Sequence, residues 1–186
     1  MRRITMNLKL KTKNLKSGFT LVELLVVMAI LGILTVITLG NFRTSQIKAR
    51  DAQRKSDLRQ ISNALEAYYN DHAGYPGGNS SGKMLACGCE GTGGDDPCDW
   101  DEDPGQREFC DANNTVYMTK VPGDPLSDPS HSYCYKSNGN YFQLYAKLEN
   151  EKDPEAKLDA SWCLSGETYN FGISSSNVKP DEEIVE

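Results

Sequence analysis

The sequence predicts an α+β protein in which one long amino-terminal helix packs against a small antiparallel β-sheet head with long, disulfide-rich loops. Three observations support this class. No proline occurs from Phe19 to Tyr75, and proline is the residue that most reliably breaks a helix. An Asn138-Gly139 pair joins two segments of alternating polarity, the pattern of a β-hairpin. All six cysteines of the chain follow the helical region.

Residues 1–18 form a basic leader. They carry six lysine and arginine residues and no acidic residue, the charge bias of a segment that stays in the cytoplasm beside a membrane span. An ordinary secretory signal is cleaved behind its apolar stretch, after small residues in an A-x-A-like pattern. The residues that follow the apolar stretch here, Leu39 to Arg43, lack that pattern, so we expect the apolar segment to be retained.

Residues 19–41 are predicted to form the transmembrane or filament-core half of the helix. From Phe19 to Gly40 the only charged side chain is that of Glu23, and a helix of this length rises about 33 Å, enough to cross the hydrocarbon core. An ionisable group at membrane depth is costly and usually has a partner and a function. One interpretation is a plain signal anchor whose Glu23 reaches towards the membrane interface.

The motif Gly18-Phe19-Thr20-Leu21-Val22-Glu23 resembles the class III signal of type IV pilins and of the pseudopilins of type II secretion. The resemblance implies that a prepilin peptidase cleaves after Gly18 and methylates the new amino terminus at Phe19, and that Glu23 supports assembly. Cleavage creates a cationic amine at Phe19, which Glu23 of a neighbouring subunit can neutralise in the apolar filament core. A buried pair of this kind is better evidence for register than for stability, so we expect it to set the axial stagger between subunits.

The same resemblance implies a structural filament subunit, not an enzyme. Its implied partners are further copies of the chain in a helical filament, the prepilin peptidase, the membrane, and a membrane assembly platform with a cytoplasmic ATPase. Before assembly the chain is expected to be a single-pass protein of the cytoplasmic (inner) membrane with its head outside the cytoplasm. After assembly it is expected in an extracellular or periplasmic filament.

Two other functions stay open at this point. One is a pseudopilin dedicated to type II secretion or DNA uptake, and the other is a membrane-tethered monomeric binding domain. An enzyme is disfavoured because the only histidines, His72 and His131, are accompanied by no phosphate loop or nucleophile motif.

Residues 42–75 are predicted to form the amphipathic half of the helix. Apolar residues recur there at three- and four-residue spacing: Leu58, Ile61, Leu65 and Tyr68. The stretch Tyr68 to Pro76 contains the usual helix stop signals and resembles the "YYNDxxGYP"-like segment that precedes the head in the pilin family. Many type IV pilins carry a proline just past the middle of the apolar run, where this chain has Gly40, which weakens the helix by about 1 kcal/mol.

Charge is distributed unevenly along the chain. The net charge is −6, from 20 basic and 26 acidic side chains, and loss of the six leader cations leaves 14 basic side chains and a net charge of −12. Residues 43–59 carry six basic and two acidic side chains, whereas the chain from Gln60 onward carries 8 basic and 23 acidic ones. The basic stretch can pack on the acidic head of another subunit or form a solvated charged surface. The acidic head argues against broad phosphate binding, and no nucleic-acid partner is firmly implied.

The head, residues 76–177, contains an even number of cysteines, which in an exported region predicts disulfides. They are Cys87, Cys89, Cys98, Cys110, Cys134 and Cys163. We favour a bridge between Cys134 and Cys163 and two bridges among the other four, which share one loop-rich stretch. Sequence does not choose among the remaining pairings. A zinc site that includes Cys87 and Cys89 is the alternative, disfavoured by the lack of a matching histidine cluster.

Residues 131–136 and 140–149 are the predicted hairpin strands. A two-residue turn at Asn138-Gly139 pairs Tyr135 with Phe142 and Tyr133 with Leu144. One face then carries the side chains that should pack on the helix, namely Tyr133, Tyr135, Phe142, Leu144, Ala146 and Leu148. Cys134 points to the other face beside Gln143, free to reach a loop cysteine. Residues 168–173 are a candidate further strand, and residues 178–186 are predicted to be a loose acidic tail.

Residues 121–129, Val-Pro-Gly-Asp-Pro-Leu-Ser-Asp-Pro, are similar to the "PxDP" turn of the major pseudopilins of type II secretion. In some of those proteins the head binds calcium through loop carboxylates and carbonyls, so Asp124 and Asp128 are candidate calcium ligands. A second candidate set is the acidic cluster of Asp95, Asp96, Asp99, Asp101, Glu102 and Asp103. Neither set has EF-hand spacing. A solvated acidic loop is the alternative, and no cofactor is required.

Overall fold

The fold is that of a computed structural model, which describes residues 18–89, 96–98, 100, 108–126 and 131–183. These residues form one long helix and two antiparallel sheets, which confirms the predicted α+β class. The elements are α1 Leu21–His72, β1 Leu85–Cys87, β2 Asp96–Pro97, β3 Phe109–Cys110, β4 Val116–Met118, β5 Cys134–Ser137, β6 Phe142–Ala146 and β7 Phe171–Ser174. Of the predicted leader, only Gly18 lies within the described residues.

Both ends of helix α1 are fixed by local backbone and side-chain hydrogen bonds. The Thr20 side chain accepts a hydrogen bond from the backbone N–H of Glu23 at 3.3 Å, which makes Thr20 the N-cap. At the other end, Ala73 has a φ of 52°, and its N–H donates to the carbonyl of Tyr69 at 2.8 Å. A left-handed residue in that position commonly terminates a helix. The helix therefore begins and ends close to the limits that the sequence predicts.

The chain divides into two compact units, residues 1–43 and 44–186. In the first unit the large described apolar side chains are exposed, from 49% for Val26 and Val27 to 85% for Phe19. No helix in the described part of the chain is long and apolar enough to cross a membrane. The side chains of residues 37–41 lie outside the described set, and the transmembrane half stays a prediction.

In the second unit, β5, β6 and β7 form a three-stranded sheet in that order, which confirms the hairpin and the further strand. The predicted register is wrong by two residues, because Tyr135 pairs with Leu144 and not with Phe142. Residues 138–141 form the loop, in which the Asn138 side chain accepts backbone hydrogen bonds from later loop residues at 3.1 and 3.3 Å and so stabilises a longer turn. Side-chain direction repeats every two residues, so a shift of two leaves the same side chains on the core face.

The main core confirms the predicted packing of the hairpin on the helix. The buried set contains Leu58, Ile61, Leu65, Tyr133, Tyr135, Phe142, Leu144, Ala146 and Leu148, with Tyr68 packed against it. Cys134 lies in a second cluster with Tyr145 and Cys163, as expected for the opposite face. The register shift places Tyr145, rather than Gln143, opposite Cys134.

The cysteine-rich stretch contributes a second sheet that the sequence did not predict, with strand order β2-β1-β3-β4. Its strands have two or three residues, shorter than the runs from which alternation can be recognised. The disulfides Cys87–Cys98 and Cys89–Cys110 lie in this sheet or beside it, and Cys134 pairs with Cys163. The favoured pairing pattern is confirmed. Trp100 is buried, and its indole N–H donates to the carbonyl of Gly82 at 2.9 Å.

The first residues of the acidic tail are held against the head, so the expectation of a loose tail is wrong for residues 178–183. The side-chain amide of Gln143 donates to the carbonyls of Lys179 and Glu182, both at 2.6 Å. The hydroxyl of Tyr145 lies 3.1 Å from the carbonyl of Pro180. Gln143 is fully buried, and a buried amide requires hydrogen-bond partners. The tail carbonyls supply them.

We expect Gly82→Ala to destabilise the head more than Gly139→Ala. Both glycines have positive φ, 68° and 84°, and an L-residue there costs about 1–2 kcal/mol. Only at Gly82 does an added Cβ collide with the sulfur of Cys134, whereas the space at Gly139 is open. The clash should add about 1–3 kcal/mol. Urea unfolding of the detergent-solubilised, oxidised full chain measures both losses, and equal losses would contradict the steric argument.

Candidate functional site

The predicted processing motif lies at the start of α1 and is exposed. Gly18, Phe19 and Thr20 precede the helix, and Glu23 lies in its first turn with an exposed side chain. A carboxylate in the first helical turn interacts favourably with the helix dipole. Because Gly18 and Phe19 precede the helix and are exposed, the peptide bond between them lies outside regular structure and is accessible. The processing roles of these two residues and the assembly role of Glu23 stay predictions.

A second candidate site was missed by the sequence reasoning. It consists of Arg54 with Asp51, Asp124 and Glu149, which we call the anchor cluster. The Arg54 side chain is fully buried. Its Nε and Nη2 donate to the two carboxylate oxygens of Asp124 at 2.6 and 2.9 Å, and its Nη1 donates to Asp51 at 2.8 Å and to Glu149 at 2.7 Å. One guanidinium thus joins the helix to two separate loops of the head.

Asp51 completes this connection through the backbone. Its two carboxylate oxygens accept hydrogen bonds from the N–H groups of Glu149 and Asn150, both at 2.9 Å. Arg50, one residue earlier on the helix, donates from Nε to Glu149 at 2.7 Å. The loop after β6 is therefore held by one carboxylate and two guanidinium groups of the helix. Charge-assisted and bidentate hydrogen bonds of this kind are stronger and more specific in geometry than neutral ones.

The pKa values of the cluster reflect this pairing. Burial alone would lower the pKa of Arg54, but hydrogen bonds to Asp124 and Glu149 outweigh it and the pKa is raised. The hydrogen bond from Arg50, opposed by burial and assisted by Arg54, lowers the pKa of Glu149 from 4.5 to about 2. Arg54 and Glu149 are thus both charged at neutral pH. The ion pairs account for the burial of an arginine, which is rare without such partners.

Asp57 extends the row of buried charged residues on the helix. It follows Asp51 and Arg54 at intervals of three residues, and all three are buried. Its carboxylate accepts a hydrogen bond from the Tyr133 hydroxyl at 2.9 Å, while burial raises the pKa of Asp57 and that of Tyr133. No buried side-chain polar atom in the described part of the chain lacks a partner. This polar row fixes which helix face meets the sheet.

The candidate calcium ligands are not brought together within the described residues. Both oxygens of Asp124 bind Arg54, and one also accepts the N–H of Leu126 at 2.9 Å. Asp128 and the acidic cluster, apart from Asp96, lie outside the described residues. Among the described residues no group of three or more histidine, cysteine or acidic side chains is arranged to hold a metal ion. Calcium binding stays a prediction.

Only part of the anchor cluster has a signal in the sequence. Asp51 and Arg54 have the three-residue spacing of a helical ion pair, but Asp124 and Glu149 are 70 and 95 residues away from Arg54. Thr20 and Glu23, in contrast, match the Thr-x-x-Glu pattern of a capping box. That local signal is sufficient to identify the helix start.

We expect Arg54→Met to destabilise the head by about 3–5 kcal/mol, because it leaves buried carboxylates without a counter-charge. Arg59→Met is the matched control, since Arg59 is an exposed arginine of the same helix, and such substitutions usually change stability by less than about 0.5 kcal/mol. Urea unfolding at pH 7 compares the two variants. Similar stabilities would show that the anchor cluster contributes little.

We expect the stability difference between the natural chain and Glu149→Gln to depend on pH. Folding lowers the pKa of Glu149 from 4.5 to about 2, so its contribution is present above pH 4.5 and is lost as the pH falls towards 2. The variant should be less stable at pH 7, and the gap should close across that window. Glu151→Gln, at an exposed position of the same loop, is the control. A gap that is constant from pH 7 to pH 2.5 would contradict the assignment.

Comparison with known proteins agrees with the amino-terminal motif. Residues 13–39 match the model of the prokaryotic N-terminal methylation motif. The chain is 33% identical to the type II secretion system core protein G of Escherichia coli over 149 residues, which cover 80% of this chain and 92% of that protein. It is 29% identical to the core protein G of Pseudomonas aeruginosa over 145 residues, 78% of this chain and 92% of that protein.

A shorter match joins the chain to the pilins. It is 34% identical to the type IV major pilin protein PilA of Myxococcus xanthus over 58 residues, 31% of this chain and 26% of that protein. No solved structure matches the chain. The two matches to core protein G each cover more than three quarters of this chain, whereas the match to PilA covers less than a third. The chain therefore belongs to the pilin and pseudopilin family that contains the type II secretion system core protein G.

Proposed function

We propose that this chain is a structural subunit of a type IV pilus-like or pseudopilus filament, and not an enzyme. The observation that carries the proposal is the exposure of the apolar side chains between Phe19 and Val36, most of them more than half exposed. An apolar surface of this extent is unfavourable in water. Lipid can cover it in a precursor, and the same segment of other copies can cover it in a filament.

In this proposal a prepilin peptidase cleaves after Gly18 and methylates Phe19. Cleavage creates a positive charge at the Phe19 amine, and this charge pairs with Glu23 of a neighbouring subunit. Pairing offsets the cost of placing each charge in an apolar medium. The pair would favour one axial stagger over the others, because every other stagger leaves at least one charge unpaired.

The proposed precursor is a single-pass protein of the inner membrane, with the basic leader in the cytoplasm and the head outside. The three disulfides of the head support export to an oxidising compartment. Extraction of an apolar helix from lipid requires work, so the proposal includes a membrane assembly platform with a cytoplasmic ATPase. The folded head is stabilised by its own disulfides and anchor cluster. In this proposal the exposed apolar helix therefore makes the contacts between subunits.

Within the family, we favour a pseudopilus of type II secretion over an extended adhesive pilus. The matches to core protein G extend over 78% and 80% of the chain, whereas the match to PilA covers 31%. The greater coverage favours the core protein G class. DNA uptake is the less favoured role because the net charge from Gln60 onward is strongly negative.

We expect overproduction of the chain with its assembly machinery to give filaments that shear from cells and sediment as a homopolymer. Glu23→Gln should be inserted in the membrane and cleaved, but its filament yield should fall at least about tenfold, because the Phe19 amine loses its partner. Glu151→Gln, at an exposed position of the head, is the control with normal yield. Electron microscopy and quantitative blotting of sheared and membrane fractions measure both outcomes.

Two results would contradict the proposal in different ways. If the natural chain stays in the membrane fraction under all conditions, a tethered monomeric binding domain is the better description. If Glu23→Gln forms filaments in normal amounts, the chain polymerises but the charge pair does not set its register.

A further inference from the structure

We infer that Thr20 is a positioning residue for cleavage, because it fixes the start of α1 two residues beyond the bond to be cut. This inference rests on the proposed processing after Gly18. The reaction is a hydrolysis, in which water adds across the Gly18–Phe19 peptide bond and yields a carboxylate on Gly18 and an amine on Phe19. Thr20 acts on the backbone conformation in which that bond reaches the peptidase.

The geometry at the helix start carries the inference. The hydroxyl oxygen of Thr20 accepts the N–H of Glu23 at 3.3 Å, and the Thr20 carbonyl accepts the N–H of Leu24 at 3.3 Å. Thr20 is thus the half-helical residue at which the first intrahelical bond begins. Residues 18–20 are exposed and non-helical, and an added Cβ at Gly18 would meet nothing within 4 Å. The scissile bond lies in open, accessible backbone.

A peptide bond inside a helix must first be released before a peptidase can act on it, because proteolysis depends on the locally open form. Thr20 keeps the boundary at Leu21. Without the cap, the helix start is no longer confined to one position. Either the bond enters the first turn, or its distance from the ordered turn that contains Glu23 varies. Both changes reduce the population in which bond and helix are correctly spaced.

Thr35, inside the helix of the same apolar segment, provides a matched control. The Thr35 hydroxyl donates to the carbonyls of Leu31 and Gly32 at 2.8 and 2.9 Å, so it serves the helix interior and not its start. Replacement of Thr35 by valine removes the same atom from the same apolar segment. It should leave the helix boundary unchanged.

The test follows cleavage of the full chain in proteoliposomes that contain prepilin peptidase, by intact mass and amino-terminal sequencing over time. We expect Thr20→Val to be cleaved up to about fivefold more slowly than the natural chain, the factor that corresponds to the usual contribution of an N-cap. Thr20→Ser, which retains the capping oxygen, should restore the rate, and Thr35→Val should match the natural chain. Hydrogen exchange of the Glu23 amide should accelerate in Thr20→Val alone.

A double variant separates the helix boundary from direct recognition of the hydroxyl. Proline at the first helical position pre-forms a helix start and keeps the preceding residue extended. Thr20→Val combined with Leu21→Pro should therefore recover the cleavage rate. Normal cleavage of Thr20→Val, equal slowing in Thr35→Val, or no recovery in the double variant would each overturn the inference. A natural chain that is not cleaved after Gly18 would instead refute the proposed processing.

Discussion

The hydrogen-bonded ion pairs of Arg54 are the interaction on which the described head depends. The guanidinium reaches Asp124 in the loop before β5 and Glu149 in the loop after β6, while Asp51 holds the backbone of the second loop. A hydrophobic core is tolerant of small rotations between a helix and a sheet, whereas a bidentate ion pair is not. Apolar burial thus supplies most of the driving force, and the anchor cluster selects one arrangement of helix and loops.

The two units of the chain meet different physical requirements with one helix. In residues 44–72 the helix is amphipathic. Its inward face packs on the head and forms buried ion pairs with it. In the first unit the described apolar side chains are exposed, and Glu23 is the only charged residue from Phe19 to Gly40. The first requirement is met within one chain. In the proposed function the second is met by lipid before assembly and by other copies afterwards, which suits the subunit to polymerisation.

Sequence reasoning was most successful where the signal is local. The absence of proline predicted the helix, and the alternation of polarity predicted which strand side chains face the core. The predicted turn was wrong, but the register error was two residues, so the same side chains remained on the core face. The cysteine pairing pattern followed from shared loops. The four-stranded sheet was missed because its strands are too short to show a period. The role of Asp124 was missed because a carboxylate that binds a guanidinium and one that binds calcium look alike in a sequence, and its partner lies 70 residues away.

The two disulfides of the cysteine-rich sheet have a consequence for how this protein can vary. They join cysteines separated by 11 and 21 residues, so the segments between their ends are short closed rings whose attachment points lie in or beside the buried sheet. The entropy of closing a ring grows only with the logarithm of its length, about 0.6 kcal/mol for each doubling. Lengthening either ring therefore costs little closure entropy, provided that Trp100, β2 and β3 keep their places in the head. Insertions of this kind leave Arg54 and its partners unchanged.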